Sequence, residues 1–202
     1  MTSYLDPNLI THFPENYWTD GWALSFYSKA GVKSKLGDLV NMVKYNQYVE
    51  NDYEVRLSAG NDILDTIKEF IASKYPRGSR PFDAAICPPS NLNRAFDLTH
   101  HIASHLESGG IHNWSKRLLK TREVTTMKQL SAHERRLALD GAYRFNPVDV
   151  PEHSKGILIV DDVLDTGATS REICKVLETV FPGIPKYYVA VTYIMDQKTE
   201  MR

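Results

Sequence analysis

The chain has 202 residues, 42% of them hydrophobic and 24% charged, and its formal net charge is −1. This composition is typical of a globular protein, and the length suits one α/β domain with a core of its own. A net charge so close to zero excludes a general electrostatic attraction to nucleic acid or membranes, so an anion site must arise from a local arrangement of residues.

The first third of the sequence predicts one strand followed by two helices. Residues 22–27 alternate between apolar and polar side chains, as in a strand. Apolar residues then recur at helical spacing over 36–43 and again over 63–71. Asn61 and Asp62 directly precede the second of these stretches, so we expect them to cap its helix.

The middle of the chain changes to a pattern of strand, loop and helix. Residues 82–87 form a short apolar strand that two prolines stop, and a helix with one apolar face follows over 96–106. Residues 111–129 are basic and have no clear period. Ser131 and Glu134 then have the spacing of a capping box, which predicts the start of another helix.

The last third has the clearest pattern. Residues 156–160 are a continuous apolar run, as expected of a strand that is covered on both faces. A second capping box, Thr169 with Glu172, precedes a helical stripe over 173–180, and residues 187–194 form one more strand. Strands that alternate with helices predict an α/β fold with an open, mostly parallel sheet flanked by helices.

We expect a single domain in two parts. Residues 1–80 form an N-terminal helical or hood segment, which packs on an α/β core formed by residues 81–202. Cys87 and Cys174 lie far apart in the sequence, which favours two buried thiols over a disulfide or a metal pair. No stretch approaches the roughly 20 apolar residues of a membrane span, and no N-terminal apolar run precedes a cleavage site, so we expect a cytoplasmic protein.

The residues that follow the apolar run 156–160 carry the chemistry. Ligands of an open parallel sheet bind beyond the carboxyl ends of its strands, where Asp161 and Asp162 stand. An isolated Asp pair is most simply a solvated turn. The hydroxyl-rich loop 166–170 argues against that interpretation, because its N–H groups and the positive end of the next helix suit a phosphate. Carboxylates that accept hydrogen bonds from vicinal hydroxyls, beside a phosphate loop, indicate a ribose 5-phosphate site.

The stretch 157–169, Ile-Leu-Ile-Val-Asp-Asp-Val-Leu-Asp-Thr-Gly-Ala-Thr, resembles a motif of the type I phosphoribosyltransferases. In that family the motif has four apolar residues, two acidic ones, two or three variable ones, then Thr-Gly and a small residue with Thr. The resemblance implies the type I phosphoribosyltransferase fold with a small N-terminal or hood element. It also implies binding of 5-phosphoribosyl 1-pyrophosphate (PRPP) and Mg²⁺ as the cofactor.

The resemblance also implies a role for each residue of the motif. Asp161 and Asp162 would hold the ribose 2′- and 3′-hydroxyls, directly or through Mg²⁺, which makes them the candidate metal residues. Asp165 occupies the place where some members carry an acidic residue near the incoming base, which suggests a general base. The residues that would cradle the 5-phosphate are Thr166, Gly167, Ala168, Thr169 and Ser170.

The order of several weaker motifs resembles the ComF-like branch of the family and its amidophosphoribosyltransferase-like relatives. Residues 43–45, Val-Lys-Tyr, are similar to a Lys-aromatic helix near the N-terminus of that branch. Residues 94–96, Arg-Ala-Phe, are similar to its Arg-Gly-Phe segment, and residues 119–122 to its basic Leu-Lys-x-Arg stretch. That branch usually begins with cysteine pairs that would hold zinc. This chain has none, so a zinc ribbon is excluded.

The resemblance places the pyrophosphate at the loop 88–93, which has no basic residue before Arg94. The missing positive charge would have to come from the basic segment 116–136. That segment has three interpretations: a solvated surface, a mobile flap that closes over pyrophosphate, or a contact for nucleic acid. The candidate pyrophosphate and flap residues are Ser90, Asn91, Arg94, Lys120 and Arg122.

The sequence leaves three functions open. We favour a Mg²⁺-dependent enzyme that transfers phosphoribosyl from PRPP to a nitrogenous acceptor with release of pyrophosphate. The alternatives are a PRPP- or nucleotide-sensing module that has lost turnover and acts through a partner, and an effector that acts on nucleotides or nucleic acid. The expected partners are PRPP and an unidentified nitrogenous acceptor, with a protein partner or a homo-oligomer as further candidates and no membrane. A variable hood formed by residues 1–30 or 187–202 would recognise the acceptor.

Overall fold

The structure is a computed structural model, and it describes residues 4–13, 17–46, 52–76, 78–89, 96–123, 129–148, 150 and 154–195. Strands and helices alternate along much of these ranges, as expected of an α/β protein. The strands are β1 (Thr11–Phe13), β2 (Asp20–Phe26), β3 (Ser28–Lys29), β4 (Val32–Lys33), β5 (Ala84–Ile86), β6 (His112–Asn113), β7 (Leu118–Lys120), β8 (Tyr143–Phe145), β9 (Ile157–Leu164) and β10 (Lys186–Tyr193). The α-helices are α1 (Lys35–Lys44), α2 (Tyr53–Lys74), α3 (Leu98–Ser108), α4 (Ala132–Leu139) and α5 (Ala168–Val180).

A six-stranded sheet with the order β1-β2-β10-β9-β5-β6 forms the centre of the molecule. The pairs from β2 to β6 are parallel, and β1 pairs antiparallel to β2 at the edge. The predicted α/β fold, with an open and mostly parallel sheet flanked by helices, is therefore confirmed. The first 80 residues contribute β1 and β2 to this sheet as well as two helices, and β10, where the sequence predicted a strand at 187–194, lies between β2 and β9.

Two hydrophobic clusters cover the two faces of the sheet. On one face, α1, α2 and α3 pack against Leu158 and Val160 of β9. On the other face, α5 packs against Ile157 and Ile159, together with the β7-β8 ladder and the end of α4. Because successive residues of a strand point to opposite faces, β9 needs a continuous apolar run to fill both clusters.

Helix α2 begins earlier than the sequence predicted. Its first residue is Tyr53, and the carboxylate of Asp52 caps it by accepting a backbone hydrogen bond, so the predicted caps at 61–62 lie inside the helix. Gly60 made the preceding turn a poor helical candidate, because glycine weakens a helix interior. A larger residue at this position would force the ring of Phe96 to shift, since a Cβ on Gly60 would lie 2.5 Å from that ring.

Strand β9 extends beyond the predicted apolar run. It continues from Ile157 to Leu164, so Asp161 and Asp162 lie within its second half rather than in a turn after it. The solvated-turn interpretation of the two carboxylates is thereby excluded, because residues of this half pair with β10.

Part of the segment 111–129, which the sequence predicted to be irregular, has regular structure. Strand β6 is followed by a 3-10 turn at Ser115–Arg117, and β7 then pairs antiparallel with β8. These elements are only two or three residues long, which is too short to produce a period in the sequence. Residues 124–128 of this segment lie outside the described residues.

Cys87 and Cys174 are both buried free thiols, as the sequence predicted. In the part of the chain that the structure describes, no helix has the length and apolar character that are needed to cross a membrane.

Candidate functional site

A cavity of about 840 Å³ lies where the connections of the sheet change direction. From β9 the chain continues to β10 on one side, whereas from β5 it continues to β6 on the other, so the switch point lies between the neighbours β5 and β9. The helices that follow these two strands, α3 and α5, lie on opposite faces of the sheet. Ligands of open parallel sheets bind at such a point. The cavity is lined by Pro88 and Pro89 after β5 and by residues 161–170.

β9 carries the acidic pair into this cavity because it is longer than β5. The ladder between the two strands ends with Ile86 opposite Ile159, whereas β10 stays paired with β9 as far as Leu164. Asp161 and Asp162 thus have β10 on one side and the open cavity, rather than β5, on the other. Local alternation along the strand turns their carboxylates toward different elements.

The carboxylate of Asp161 lies beside β10. Its Oδ1 accepts a hydrogen bond of 2.9 Å from the N–H of Asp162, and its Oδ2 accepts one of 3.2 Å from the hydroxyl of Tyr188. Burial and the negative charge of Asp162 raise the pKa of Asp161 to about 7. A ligand that donates hydrogen bonds or brings a positive charge would therefore stabilise the ionised form of Asp161.

The carboxylate of Asp162 lies beside α1. The ammonium of Lys44, the last residue of α1, forms an ion pair with its Oδ2, and the exposed fractions of the two side chains are 26% for Lys44 and 9% for Asp162. Burial is the largest single effect on the pKa of Lys44 and lowers it, but the charge and hydrogen bond of Asp162, together with the nearby Tyr45 and Asp161, raise that pKa above its usual value. The same ammonium lies 5.6 Å from the centre of the Tyr45 ring, within cation–π range.

Helix α5 begins two residues earlier than predicted. Its first residue is Ala168 and its N-cap is Gly167, so the predicted capping box of Thr169 and Glu172 does not form. Glu172 is buried and instead accepts a hydrogen bond of 2.7 Å from the N–H of Gly141. The side chains of Thr169 and Glu172 therefore do not occupy the N–H groups at the start of α5. The positive end of this helix faces the cavity.

The loop 166–170 has the geometry of an anion cradle. Gly167 has a φ of 71°, in the left-handed region that glycine adopts without steric cost. The N–H of Ala168 donates to Oγ1 of Thr166 at 3.4 Å, and the hydroxyl of Ser170 donates to the carbonyl of Gly167 at 2.9 Å. The first N–H groups of a helix lack intrahelical acceptors, so this turn offers donors to an anion in the cavity.

Asp165 connects this loop to α4. Its Oδ2 forms an ion pair with Nη1 of Arg135, a residue that also lines the cavity. Its Oδ1 is buried and has no hydrogen-bond partner among the described residues. A buried carboxylate oxygen without a partner is costly, so Asp165 can accept a hydrogen bond from a ligand.

The structure describes two of the five candidate pyrophosphate and flap residues, and it brings one of these two into the cavity wall. Lys120 on β7 lines the cavity, and burial lowers its pKa. The guanidinium of Arg122 instead donates to the carbonyls of Ala138 and Asp140 at the end of α4, at 3.0 and 2.9 Å. The other three candidates, Ser90, Asn91 and Arg94, lie outside the described residues.

Three residues that lie at the site were not predicted as site residues from the sequence, namely Lys44, Tyr188 and Arg135. Lys44 stands four positions after the buried Val40 of α1, and a lysine on an apolar helical stripe is a signal for a buried ion pair. Tyr188 lies in a stretch with the pattern of a strand, which predicts a packing role for its side chain. Its contact with Asp161 depends on the register of β10 against β9. Arg135 was included only in a basic segment, where nothing distinguishes it from Arg136.

Comparison with known proteins adds little to this description. No protein-family model matches the chain, and no curated protein matches it. Among solved structures, the xanthine-guanine-hypoxanthine phosphoribosyltransferase of Helicobacter pylori is similar, with a TM-score of 0.40 and 16% sequence identity over 72% of this chain and 78% of that one. A similarity this weak carries no argument about function and resolves no branch of a family. The function therefore has to be inferred from the residues of the cavity.

Proposed function

We propose that this chain binds PRPP with Mg²⁺ and transfers its phosphoribosyl group to a nitrogenous acceptor, with release of pyrophosphate. One observation carries the proposal. The carboxylates of Asp161 and Asp162 and the helix-start loop 166–170 line the same cavity at the switch point of the sheet. This combination suits a phosphorylated ribose, which presents an anion at one end and vicinal hydroxyls along its ring.

In this proposal the 5-phosphate occupies the loop 166–170. The N–H groups at the start of α5, which lack intrahelical acceptors, and the helix dipole both favour an anion there. The ribose hydroxyls then donate to Asp161 and Asp162, whose carboxylates lie just before the loop in the chain. Hydrogen bonds to ionised carboxylates are the stronger kind, so they would position the ribose firmly.

The acidic pair also fits Mg²⁺. This ion prefers oxygen ligands and usually binds through one or two carboxylates, with water and substrate phosphates as its other ligands. Asp161 and Asp162 can supply the carboxylates, and the described residues contain no group of three or more acidic, His or Cys side chains that would form a complete protein site. When bound, Mg²⁺ would supply positive charge to the leaving pyrophosphate.

The unpartnered oxygen of Asp165 supports a nitrogenous acceptor. Oδ1 of this residue is buried at the cavity wall and can accept a hydrogen bond from an N–H group. Oδ2 is held by Arg135, which fixes the orientation of the carboxylate. A general base must lie within hydrogen-bond reach of the proton that it removes, and Asp165 is the candidate for this role.

Pyrophosphate release is the direct test. The protein is mixed with Mg²⁺ and PRPP and with a panel of nucleobases, ammonia and glutamine, and pyrophosphate is measured. We expect release with at least one acceptor. In parallel, calorimetry should show that changing both Asp161 and Asp162 to Asn weakens PRPP binding by about 1.5–3 kcal/mol.

The matched control is Asp38→Asn, which removes an exposed carboxylate outside the cavity lining. Unchanged PRPP affinity in the Asp161/Asp162 double variant would refute the proposed site. PRPP binding without pyrophosphate release from any acceptor would favour the sensing module over the enzyme. Nucleic-acid binding with a steep salt dependence would favour the effector.

A further inference from the structure

In its described wall, the cavity has more negative than positive side chains, although its proposed ligand is strongly anionic. Among the described residues, the charged side chains of its wall are three cations and four carboxylates, namely Lys44, Lys120, Arg135, Asp97, Asp161, Asp162 and Asp165. Arg135 is tied to Asp165 and Lys44 to Asp162. Lys44 and Arg135 can therefore contact PRPP only if they leave these carboxylates.

Lys44 is placed to make such a change. Its ammonium contacts the carboxylate of Asp162, whose side chain is only 9% exposed. A hydroxyl that approaches Oδ2 of Asp162 therefore meets the lysine first. The ammonium stands on a flexible four-carbon stem, and the ring of Tyr45, which also lines the cavity, lies 5.6 Å from it. The ammonium of Lys44 can therefore reach a second position on the cavity wall, beside the ring of Tyr45.

We propose that Lys44 is a displaceable counter-ion, which pairs with Asp162 in the ligand-free protein and moves to the pyrophosphate group of PRPP when ribose hydroxyls occupy Asp162. This inference rests on the proposed function. Its geometry follows from the covalent structure of the ligand, because the ribose 2-hydroxyl is on the carbon next to the one that bears the pyrophosphate. In this proposal Asp162 binds the 2-hydroxyl, so the ammonium of Lys44, once released from Asp162, lies beside the pyrophosphate oxygens.

The exchange gives Lys44 two consecutive tasks. Before binding, it balances the charge of Asp162, which would otherwise be a buried carboxylate beside Asp161. After binding, it supplies a donor to the group that becomes more negative as it leaves. A purely structural ion pair would perform the first task only, so ligands with and without pyrophosphate distinguish the two possibilities.

The first experiment compares PRPP with ribose 5-phosphate, which lacks the pyrophosphate, by calorimetry on Lys44→Met. We expect PRPP affinity to fall about ten-fold to a hundred-fold, while ribose 5-phosphate affinity is kept or rises. Lys44→Arg, which keeps the charge, should retain most of the PRPP affinity. Equal losses for both ligands would overturn the proposal and leave Lys44 a structural role. If Lys44→Met does not fold, Lys44→Gln replaces it in the same comparison.

The second experiment frees Lys44 instead of removing it. Asp162→Asn should bind inorganic pyrophosphate about ten-fold more tightly than the original protein, because the ammonium no longer has a carboxylate partner. The same change in a Lys44→Met background should give no such gain. A gain of equal size in both backgrounds would mean that the cavity merely became less negative, and it would overturn the exchange.

The two proposals fail in different ways. If the unaltered protein binds neither PRPP nor ribose 5-phosphate, the proposed function is wrong. If it binds both and Lys44→Met weakens both equally, only the role of Lys44 is wrong.

Discussion

Arg135 of α4 and Asp165, the residue after β9, form an ion pair in which the side chains are 12% and 29% exposed. The Nε of Arg135 also donates a hydrogen bond of 3.0 Å to the carbonyl of Leu130, so the guanidinium is held on both sides. This arrangement attaches α4, a helix of eight residues, to the wall of the cavity. Because Arg135 is engaged in this structural contact, one fewer cation of the basic segment is available to a ligand.

Arg135→Met should therefore destabilise the protein. The change leaves a partly buried carboxylate without its partner, and we expect the free energy of unfolding to fall by about 1.5–3 kcal/mol. Urea denaturation measures this loss. Arg136→Met is the matched control, since the neighbouring arginine does not line the cavity, and we expect its effect to stay within about 0.5 kcal/mol. Equal losses in the two variants would show that the Asp165 contact contributes no stability.

Gly167 and Gly183 provide a second matched pair. Both have positive φ angles, 71° and 75°, but Gly167 lies in the proposed phosphate loop, whereas a Cβ on Gly183 would meet nothing within 4 Å. Changing either residue to Val should cost about 1–2 kcal/mol of stability, because a branched side chain disfavours left-handed backbone. Only Gly167→Val should abolish ribose 5-phosphate binding, as measured by calorimetry. Normal binding by that variant would show that the loop is not the phosphate cradle.

The environment of Asp161 predicts a pH-dependent stability. Burial and the charge of Asp162 raise its pKa to about 7, above the value of about 3.9 for an unfolded Asp. Between these two values the folded state holds a proton that the unfolded state has lost, so stability falls as the pH rises from about 4 through about 7. Denaturant titrations of the ligand-free protein at a series of pH values should show this fall.

Asp161→Asn removes the titrating group, so its stability should depend less on pH over the same range. Asp38→Asn, at an exposed carboxylate, should keep the pH dependence of the unaltered protein. An identical pH dependence in Asp161→Asn would mean that another group is responsible for the fall in stability.

The core of the site could be predicted from the sequence because it is contiguous. The apolar strand, the acidic pair and the phosphate loop all lie within residues 157–170, so local patterns were sufficient to place them next to one another. The α/β class followed in the same way from alternating strands and helices. The start of α5 was predicted two residues too late, because Thr169 and Glu172 have capping-box spacing while Gly167 takes the N-cap position.

The rest of the site depends on contacts that no local pattern records. Lys44 and Asp162 are 118 residues apart, and Arg135 and Asp165 are 30 residues apart. Each pair meets only because a helix on one face of the sheet reaches the end of β9. Sequence spacing identifies such residues as charged but cannot choose their partners.

The basic segment provides the last prediction, which concerns its response to ligand. In its first described stretch, 116–123, β7 pairs with β8 in a two-stranded ladder that is separate from the central sheet. Although Leu118 is buried in the core, this short ladder has fewer strand partners than the central sheet, so we expect it to open locally more often than the sheet in the absence of ligand. Lys120 already lines the cavity, and a leaving pyrophosphate needs positive charge around it.

Addition of Mg²⁺ and PRPP should therefore slow amide hydrogen exchange in residues 116–123, because a ligand that contacts Lys120 stabilises β7 against opening. Hydrogen exchange detected by mass spectrometry measures this directly. Peptides from the middle of α2, which packs on the other face of the sheet, are the internal control and should exchange at the same rate with and without ligand. If residues 116–123 also exchange at an unchanged rate while PRPP is bound, this segment does not close over the ligand. The leaving pyrophosphate would then depend on Mg²⁺ and Lys44 for its positive charge, and a binding module without turnover would become the better description of the protein.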